Sequence, residues 1–88
     1  MLFAKVVDLD CGYDHGKYPR EKGLKVGDVF EVVAVHMSAT YTTIVDEAEN
    51  RFNSVHFEFF LDKECTKPHD IYNDPLYNPY IPGGRYNG

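Results

Sequence analysis

The chain has 88 residues, of which 43% are hydrophobic and 15% aromatic, with seven tyrosines, six phenylalanines and no tryptophan. This length suffices for one small domain with a limited core, and the apolar content is too high for a disordered chain. The formal net charge is −5, which argues against a phosphate-backbone binder because such proteins need a basic face. We therefore expect no nucleic acid among the partners.

The two cysteines, Cys11 and Cys65, lack the spacing of a zinc finger or a redox motif. In a domain with a hydrophobic core, such cysteines are typical of free thiols in a reducing compartment. The N-terminal segment is too short and too interrupted for a signal peptide, and no run of about 18 apolar residues offers a membrane span. A cytoplasmic location without membrane contact is the expectation.

Strand-type residues begin near the N-terminus. Leu2–Leu9 predicts a first strand, with Ala4 and Val6 on one side, since alternate residues of a strand share a face. Asp10–Lys22 mixes glycine, proline and charged residues and predicts a long loop. Loops of this length in small domains are frequently functional.

The segment Gly23–Leu61 organises the rest of the domain. A turn at its start leads into three predicted strands, which are Val29–Met37, Tyr41–Asp46 and Phe52–Leu61. Because Val29–Met37 is apolar on both sides, we expect it either to be shared between two parts of a bent sheet or to be covered by a later segment. A meander this compact must curl to bury its apolar face, so the first 61 residues predict an all-β small barrel.

The remaining residues, 62–88, differ in composition. They contain four of the five prolines and four of the seven tyrosines. Proline favours extended, polyproline-like structure. However, Ile71, Leu76 and Ile81 need to be covered. We therefore expect a Pro/Tyr/Asn-rich C-terminal extension that packs on the barrel or on a neighbouring subunit.

Two segments resemble SH3 domains. KGLKVGDVFEVV (Lys22–Val33) resembles the diverging turn that leads into the second SH3 strand, and FNSVHFEFF (Phe52–Phe60) resembles the strand that passes through one 3₁₀ turn into the last strand. The resemblance implies a five-stranded SH3-like barrel. Its implied core residues are Ala4, Val6, Phe30, Val32, Ile44, Phe52 and Phe57. The small size and composition also resemble short phage and prophage proteins, which would place the chain in the host cytoplasm.

The SH3 peptide groove is lined by tyrosines of the first loop, a tryptophan that opens the third strand, and a proline and a tyrosine of the 3₁₀ turn. The matching positions in this chain are Tyr13 or Tyr18 in the loop, then Tyr41, Asn53 and His56. The last three depart from the family's residues. The resemblance therefore does not extend to recognition of proline-rich peptides.

The extension itself contains a PxxP spacing, Pro79-Tyr80-Ile81-Pro82, followed by Arg85. Such segments dock on aromatic surfaces because their bound conformation is already populated. The loop acids Asp10, Asp14 and Glu21 are candidate partners for the arginine. Two interpretations stay open, docking in the groove of the same or a neighbouring copy and a chance spacing among five prolines.

Catalytic and metal motifs are missing from the sequence. A zinc site needs three or four ligands at tight spacing, whereas the histidines are scattered along the chain, at His15, His36, His56 and His69. Neither a phosphate-binding glycine loop nor a GxSxG motif is present. Cys11 lies in an acidic loop, but no base can be placed beside it. We expect no enzyme activity, no catalytic residues, no metal and no cofactor.

These patterns predict a non-enzymatic protein-interaction module that binds a protein partner or itself as a homo-oligomer. Tyrosines suit such contacts because they bury large area at low entropic cost. The predicted contact residues are Tyr13, Asp14, Tyr18, Tyr41, Asn53, His56, Tyr77, Pro79, Tyr80, Pro82 and Arg85. The alternative is an acidic phage inhibitor that blocks a basic nucleic-acid-binding surface of a host protein. Its acidic face would comprise Asp46, Glu47, Glu49 and the loop acids.

Overall fold

The computed structural model describes residues 1–11, 19–38 and 40–85. The six strands of this part of the chain are Leu2–Val6 (β1), Val29–Val32 (β2), Ala34–Met37 (β3), Thr42–Val45 (β4), Arg51–Asn53 (β5) and Phe57–Phe60 (β6). Three short 3₁₀ helices accompany them, at Pro19–Lys22, Ser54–His56 and Ile71–Asn73. The described residues contain no α-helix, and the predicted all-β class is confirmed.

The strands pair into two antiparallel three-stranded sheets, in the orders β2-β1-β6 and β3-β4-β5. In the first sheet, Ala4 of the central strand pairs with Phe30 on one side and Phe59 on the other. In the second sheet, Ile44 lies between Val35 and Phe52. The predicted closed barrel of five strands is thus replaced, in the described residues, by six strands in two separate hydrogen-bonded sheets.

The number of strands differs from the prediction because the segment Val29–Met37 is interrupted. The Val33 N–H donates to the carbonyl oxygen of Val45 at 2.9 Å, and Ala34 is paired with the same residue. Two residues opposite one constitute a β-bulge, which bends its strand and increases the local twist. The bend carries the chain from the first sheet into the second. The segment was predicted to be shared between two parts of one bent sheet, and in the described residues it joins two separate sheets instead.

Buried apolar side chains of both sheets form one core cluster. Its members are Leu2, Ala4, Val6, Val32, Ile44, Phe52, Phe57, Phe59 and Ile71. Phe30 is half-buried, and its ring centroid lies 5.9 Å from that of Phe52 and 5.4 Å from that of Phe57. Full burial of one such side chain contributes about 1.5–3 kcal/mol. The predicted core residues therefore all lie in or against the core, which also includes Leu2, Phe59 and Ile71.

Two predicted local structures connect the strands. The turn Lys25–Asp28 is closed by a hydrogen bond of 3.0 Å between its end residues, and Gly27 has a φ of 96°, which favours glycine. The turn expected between the last two strands is also present. It is the 3₁₀ helix Ser54–His56, which Asn53 caps by accepting from the Val55 N–H at 3.2 Å. Both turns follow from residues adjacent in sequence.

After β6 the chain returns along the first sheet. Pro68 forms an antiparallel bridge with Phe60, and the His69 N–H donates to the Phe59 carbonyl oxygen at 2.9 Å. Ile71 then enters the core and is fully buried. The extension therefore contributes an anchoring side chain to the core that the strands form.

Candidate functional site

The predicted contact residues fall into three groups. Tyr13, Asp14 and Tyr18 lie outside the described residues. Tyr41, Asn53 and His56 lie in or next to the strands, and the other five belong to the extension. The two described groups have different environments.

The side chain of His56 is fully buried and does not reach the protein surface. Its Nδ1 atom lies 2.8 Å from the carbonyl oxygen of Asp8 and 3.5 Å from the Sγ atom of Cys11. The short 3₁₀ helix turns Ser54 and His56 inward and leaves Val55 exposed. This geometry corrects the predicted place of His56 on the contact surface.

Asn53 and Tyr41 also differ from the expected groove. The Asn53 side chain is half-buried and caps the 3₁₀ helix, because its amide oxygen accepts a hydrogen bond from the Val55 N–H. Tyr41 is 45% exposed, immediately before β4. Of these three residues, Tyr41 has the largest surface available for a contact.

Four predicted contact residues of the extension meet in one cleft. Tyr77, Pro79, Tyr80 and Arg85 line a space of about 620 Å³ whose opposite wall is strand β3, with Val35, His36 and Met37. Leu76 lines the same space and is 85% exposed. We call this space the extension cleft.

The extension is folded by side chains that accept hydrogen bonds from the backbone two residues later. Asp70 accepts from the Tyr72 N–H at 2.9 Å, Asp74 from Leu76 at 2.9 Å, and Asn78 from Tyr80 at 3.0 Å. These are Asx turns, which occur where aspartate or asparagine initiates a change of direction. Asp74 and Asn78 each precede a proline, and Asx-Pro is a turn signal that could have been read from the sequence.

The PxxP segment is bent, contrary to the expected polyproline-like structure. The Gly84 N–H donates to the Ile81 carbonyl oxygen at 2.9 Å across Pro82-Gly83, and Gly83 has a φ of 91°. Proline followed by glycine is the pattern of a type II turn. Pro82 is exposed at this turn, outside the extension cleft.

Gly84 holds the bent segment against the preceding turn. A Cβ atom at this position would lie 2.6 Å from the carbonyl oxygen of Asn78 and 2.6 Å from the carbonyl group of Pro79. Real Cβ atoms do not approach backbone so closely. A glycine is therefore required here for close packing of one backbone segment on another.

Two polar contacts tie the extension to the rest of the protein and to itself. The Tyr72 hydroxyl lies 2.6 Å from the Oγ atom of Ser54, which is buried in the 3₁₀ helix between β5 and β6. The Nε2 atom of His69 lies 2.7 Å from a carboxylate oxygen of Asp74. The centroids of the His69 and Tyr77 rings are 6.2 Å apart. Because Tyr77 lines the extension cleft, the His69–Asp74 pair lies beside that cleft.

The local contacts of Asp74 and Tyr77 shift the pKa values of both side chains. The pKa of Asp74 is lowered by the Leu76 N–H and, to a smaller extent, by His69. The pKa of Tyr77 is raised by burial and by the nearby Asp74 carboxylate. At neutral pH, an ionised carboxylate and a neutral phenol therefore lie side by side at this end of the cleft.

The described residues show no group of three or more His, Cys, Asp or Glu side chains that could hold a metal ion. Cys11 and Cys65 form no disulfide bond with each other. No helix in residues 1–11, 19–38 and 40–85 is long and apolar enough to cross a membrane.

Comparison with known proteins identifies a family. The family model described as Bacteriophage T4 protein Y07B matches residues 1–82. The chain belongs to this bacteriophage protein family. The match spans the six described strands and residues 62–82 of the extension, so one family model covers both regions.

The comparison with curated proteins and the comparison with solved structures gave no significant match. The resemblance to phage proteins is confirmed at the level of the family.

Proposed function

We propose that this phage-family protein is a non-enzymatic protein-interaction module whose contact surface is the extension cleft. The observation that carries the proposal is that large apolar side chains from two distant parts of the chain line one cleft, with those of the extension exposed and those of β3 half-buried. Met37 lines the cleft from β3, whereas Leu76 and Tyr80, which are 85% and 47% exposed, line it from the extension. Contiguous apolar and aromatic side chains at a surface mark protein contacts.

We also propose that the fold is SH3-like in its finer detail. The support is topological: β1 lies between β2 and β6, a bent segment passes from one sheet into the other, and one 3₁₀ helix joins β5 to β6. The SH3 peptide groove is not part of the proposal. Its matching position His56 is buried, and the aromatic residues that line the extension cleft, Tyr77 and Tyr80, belong to the extension.

The most specific form of the proposal is self-association through the extension cleft. Three consecutive residues of β3 line the cleft, and β3 is an edge strand of its sheet in the described part of the chain. Edge strands pair readily with a second chain. A two-fold arrangement would place the same apolar side chains of both copies against each other.

The test is sedimentation of the full chain over a range of concentrations. We expect association that weakens at least tenfold in Leu76→Asp, because a carboxylate would have to be buried in the contact. Val26→Asp is the matched control, since Val26 is 64% exposed and lies outside the cleft. A wild-type chain that is monomeric at every concentration would exclude self-association.

A foreign protein partner is tested separately by photo-crosslinking. A photoreactive residue at position 76 should give discrete cross-linked products in cells that produce the protein, and the same residue at position 26 should not. Competition by excess unlabelled wild-type protein must remove the products. Equal products from both positions would contradict the cleft as the contact surface.

The second candidate function, an acidic inhibitor of a basic nucleic-acid-binding surface, is favoured by one observation. Asp46 and Glu47 border a single cleft together with Glu31, whereas Glu49 lies outside it. Attraction between exposed charges is screened beyond about 10 Å at 0.1 M salt. This function therefore predicts displacement of nucleic acid from a basic host protein, with an affinity that falls steeply as salt is added. An affinity independent of salt would contradict it.

A further inference from the structure

A second cleft, of about 560 Å³, lies between strand β2 and the tip of the β4–β5 hairpin. Its apolar lining includes Phe3, Val29 and Phe30, and its acidic lining consists of Glu31, Asp46 and Glu47. Lys63 is the single basic residue among the described residues that line it. We call this space the acidic cleft.

The acidic side of the cleft is preorganised. The Asp46 carboxylate accepts from the Ala48 N–H at 3.0 Å and from the Asn50 N–H at 2.9 Å, and Asn50 also donates its side-chain amide to it at 3.0 Å. These bonds hold the hairpin tip, where Glu49 has a φ of 66°. A tip held in one conformation loses little entropy when it binds a partner.

The opposite side of the cleft is the edge of a sheet. In the described residues, β2 pairs with β1 on one side and has no strand on the other. Val29 and Glu31 alternate with Phe30 along this edge. An extended chain added to an edge strand gains backbone hydrogen bonds, while alternate side chains enter the adjoining pocket.

We propose that the acidic cleft binds an extended basic segment of a partner protein, with an apolar side chain of that segment seated on Phe3, Val29 and Phe30. Lysine or arginine side chains two positions before and after it, on the same face of the extended segment, would then lie against Glu31 and Glu47. The net charge of −5 favours the approach of such a segment. The inference rests on the second candidate function only for the basic character of the partner, and it does not involve the extension cleft.

The test is a titration of the full chain with three synthetic peptides, followed by backbone amide NMR. The peptides repeat Lys-Ser-Leu-Ser, Glu-Ser-Leu-Ser and Lys-Ser-Ser-Ser, so that the first places Lys and Leu on the same face of an extended chain, and we call them the Lys-Leu, Glu-Leu and Lys-Ser peptides. We expect only the Lys-Leu peptide to bind saturably and to shift the amides of residues 29–31 and 46–48. Equal binding of the Lys-Ser peptide, no binding at all, or shifts confined to other residues would overturn the proposal.

Matched variants give a second readout. The double variant Glu31→Gln/Glu47→Gln should weaken binding of the Lys-Leu peptide at least tenfold. The control variant Glu21→Gln/Glu64→Gln removes the same charge from exposed residues outside the cleft. It should change the affinity for the Lys-Leu peptide less than twofold. Equal losses in both variants would overturn the site, because they would show only a response to net charge.

The experiment separates the site from the inhibitor function. Peptide binding at the acidic cleft without displacement of nucleic acid from a basic host protein would contradict the inhibitor function and leave the site in place. Displacement of nucleic acid without peptide binding would overturn the site.

Discussion

The strands and the C-terminal extension are stabilised in different ways. The strands depend on hydrogen bonds between segments distant in sequence and on a shared core, as where Ile44 pairs with Phe52. The extension depends on contacts between near neighbours, with its Asx side chains each capping the backbone two residues ahead. The two regions are joined by a few polar contacts and by two side chains of the extension. Ile71 lies in the core, and Tyr77 packs against the core.

The difference shows how a proline-rich segment can hold a surface in place without regular secondary structure. Proline removes an N–H donor, and aspartate or asparagine before it directs the chain into a turn. The turns alone are weak, and the buried Ile71 side chain anchors them on the core. The shape of the extension cleft therefore depends on the anchor as much as on the residues that line it.

The sharpest test of the comparison is Ile71→Ala. We expect a loss of about 2–5 kcal/mol in the free energy of unfolding, because the substitution leaves a cavity in the shared core. Phe52→Ala, in the strands, should cost about 3–5 kcal/mol. Urea unfolding followed by circular dichroism measures both.

Leu76→Ala is the control for this measurement, since Leu76 is exposed and should change stability by less than about 0.5 kcal/mol. If Ile71→Ala also left the unfolding of the strands unchanged, the extension would be an independent appendage.

Gly84→Ala tests the internal packing of the extension. The added Cβ atom would overlap the backbone of Asn78 and Pro79, so we expect the turn to move and stability to fall by about 1–3 kcal/mol. Hydrogen exchange should accelerate at the amides of residues 76–85 and stay unchanged in β4. Equal acceleration in both regions would show that the two regions open as one unit.

Tyr72→Phe tests the polar link between the regions. Removal of the hydroxyl leaves the buried Ser54 Oγ atom without this partner, and we expect a loss of about 0.5–1.5 kcal/mol. A double-mutant cycle with Ser54→Ala isolates the pair. Additive effects of the two substitutions would show that the contact contributes nothing to stability.

The smallest expected effect is the pH dependence of the extension. Because its pKa is lowered in the folded protein, Asp74 contributes stability above its ordinary pKa of 3.8, and this contribution is lost as the pH falls through the folded value. Protonation of Asp74 removes the ionic contact between its carboxylate and His69. Because the Tyr77 ring packs against His69, the NMR chemical shifts of the Tyr77 ring protons should change below about pH 4. Asp62 has a lowered pKa as well, so Asp74→Asn, which keeps Asp62, is the control. A shift of the same size in that variant would assign the effect to another group.

The strand positions were predictable where neighbouring residues decide them. Alternation placed Ala4 and Val6 in the core, and Gly27 marked the turn before β2. Apolar residues on both sides of Val29–Met37 indicated cover on both faces, but they did not decide between a bend in the sheet and cover by a later segment. The bulge at Val33, which divides the segment, depends on its pairing with Val45 and has no local signal.

The site was predictable only in part. The aromatic residues Tyr77 and Tyr80 do meet in one cleft, but the wall provided by β3 has no sequence signature. The inward orientation of His56 follows from the direction of a 3₁₀ helix between two paired strands. The Asx-Pro turns had a local signal, which proline content alone obscured by favouring a polyproline interpretation.

The sequence by itself determined the all-β class, the turn residues and most of the core, because each depends on local conformational preference or on period-two alternation. Only the tertiary structure decided that the strands form two sheets, that Ile71 enters their core, and that β3 and the extension enclose a cleft. Those outcomes depend on contacts between residues far apart in the chain, and packing selects among the arrangements that local preferences allow.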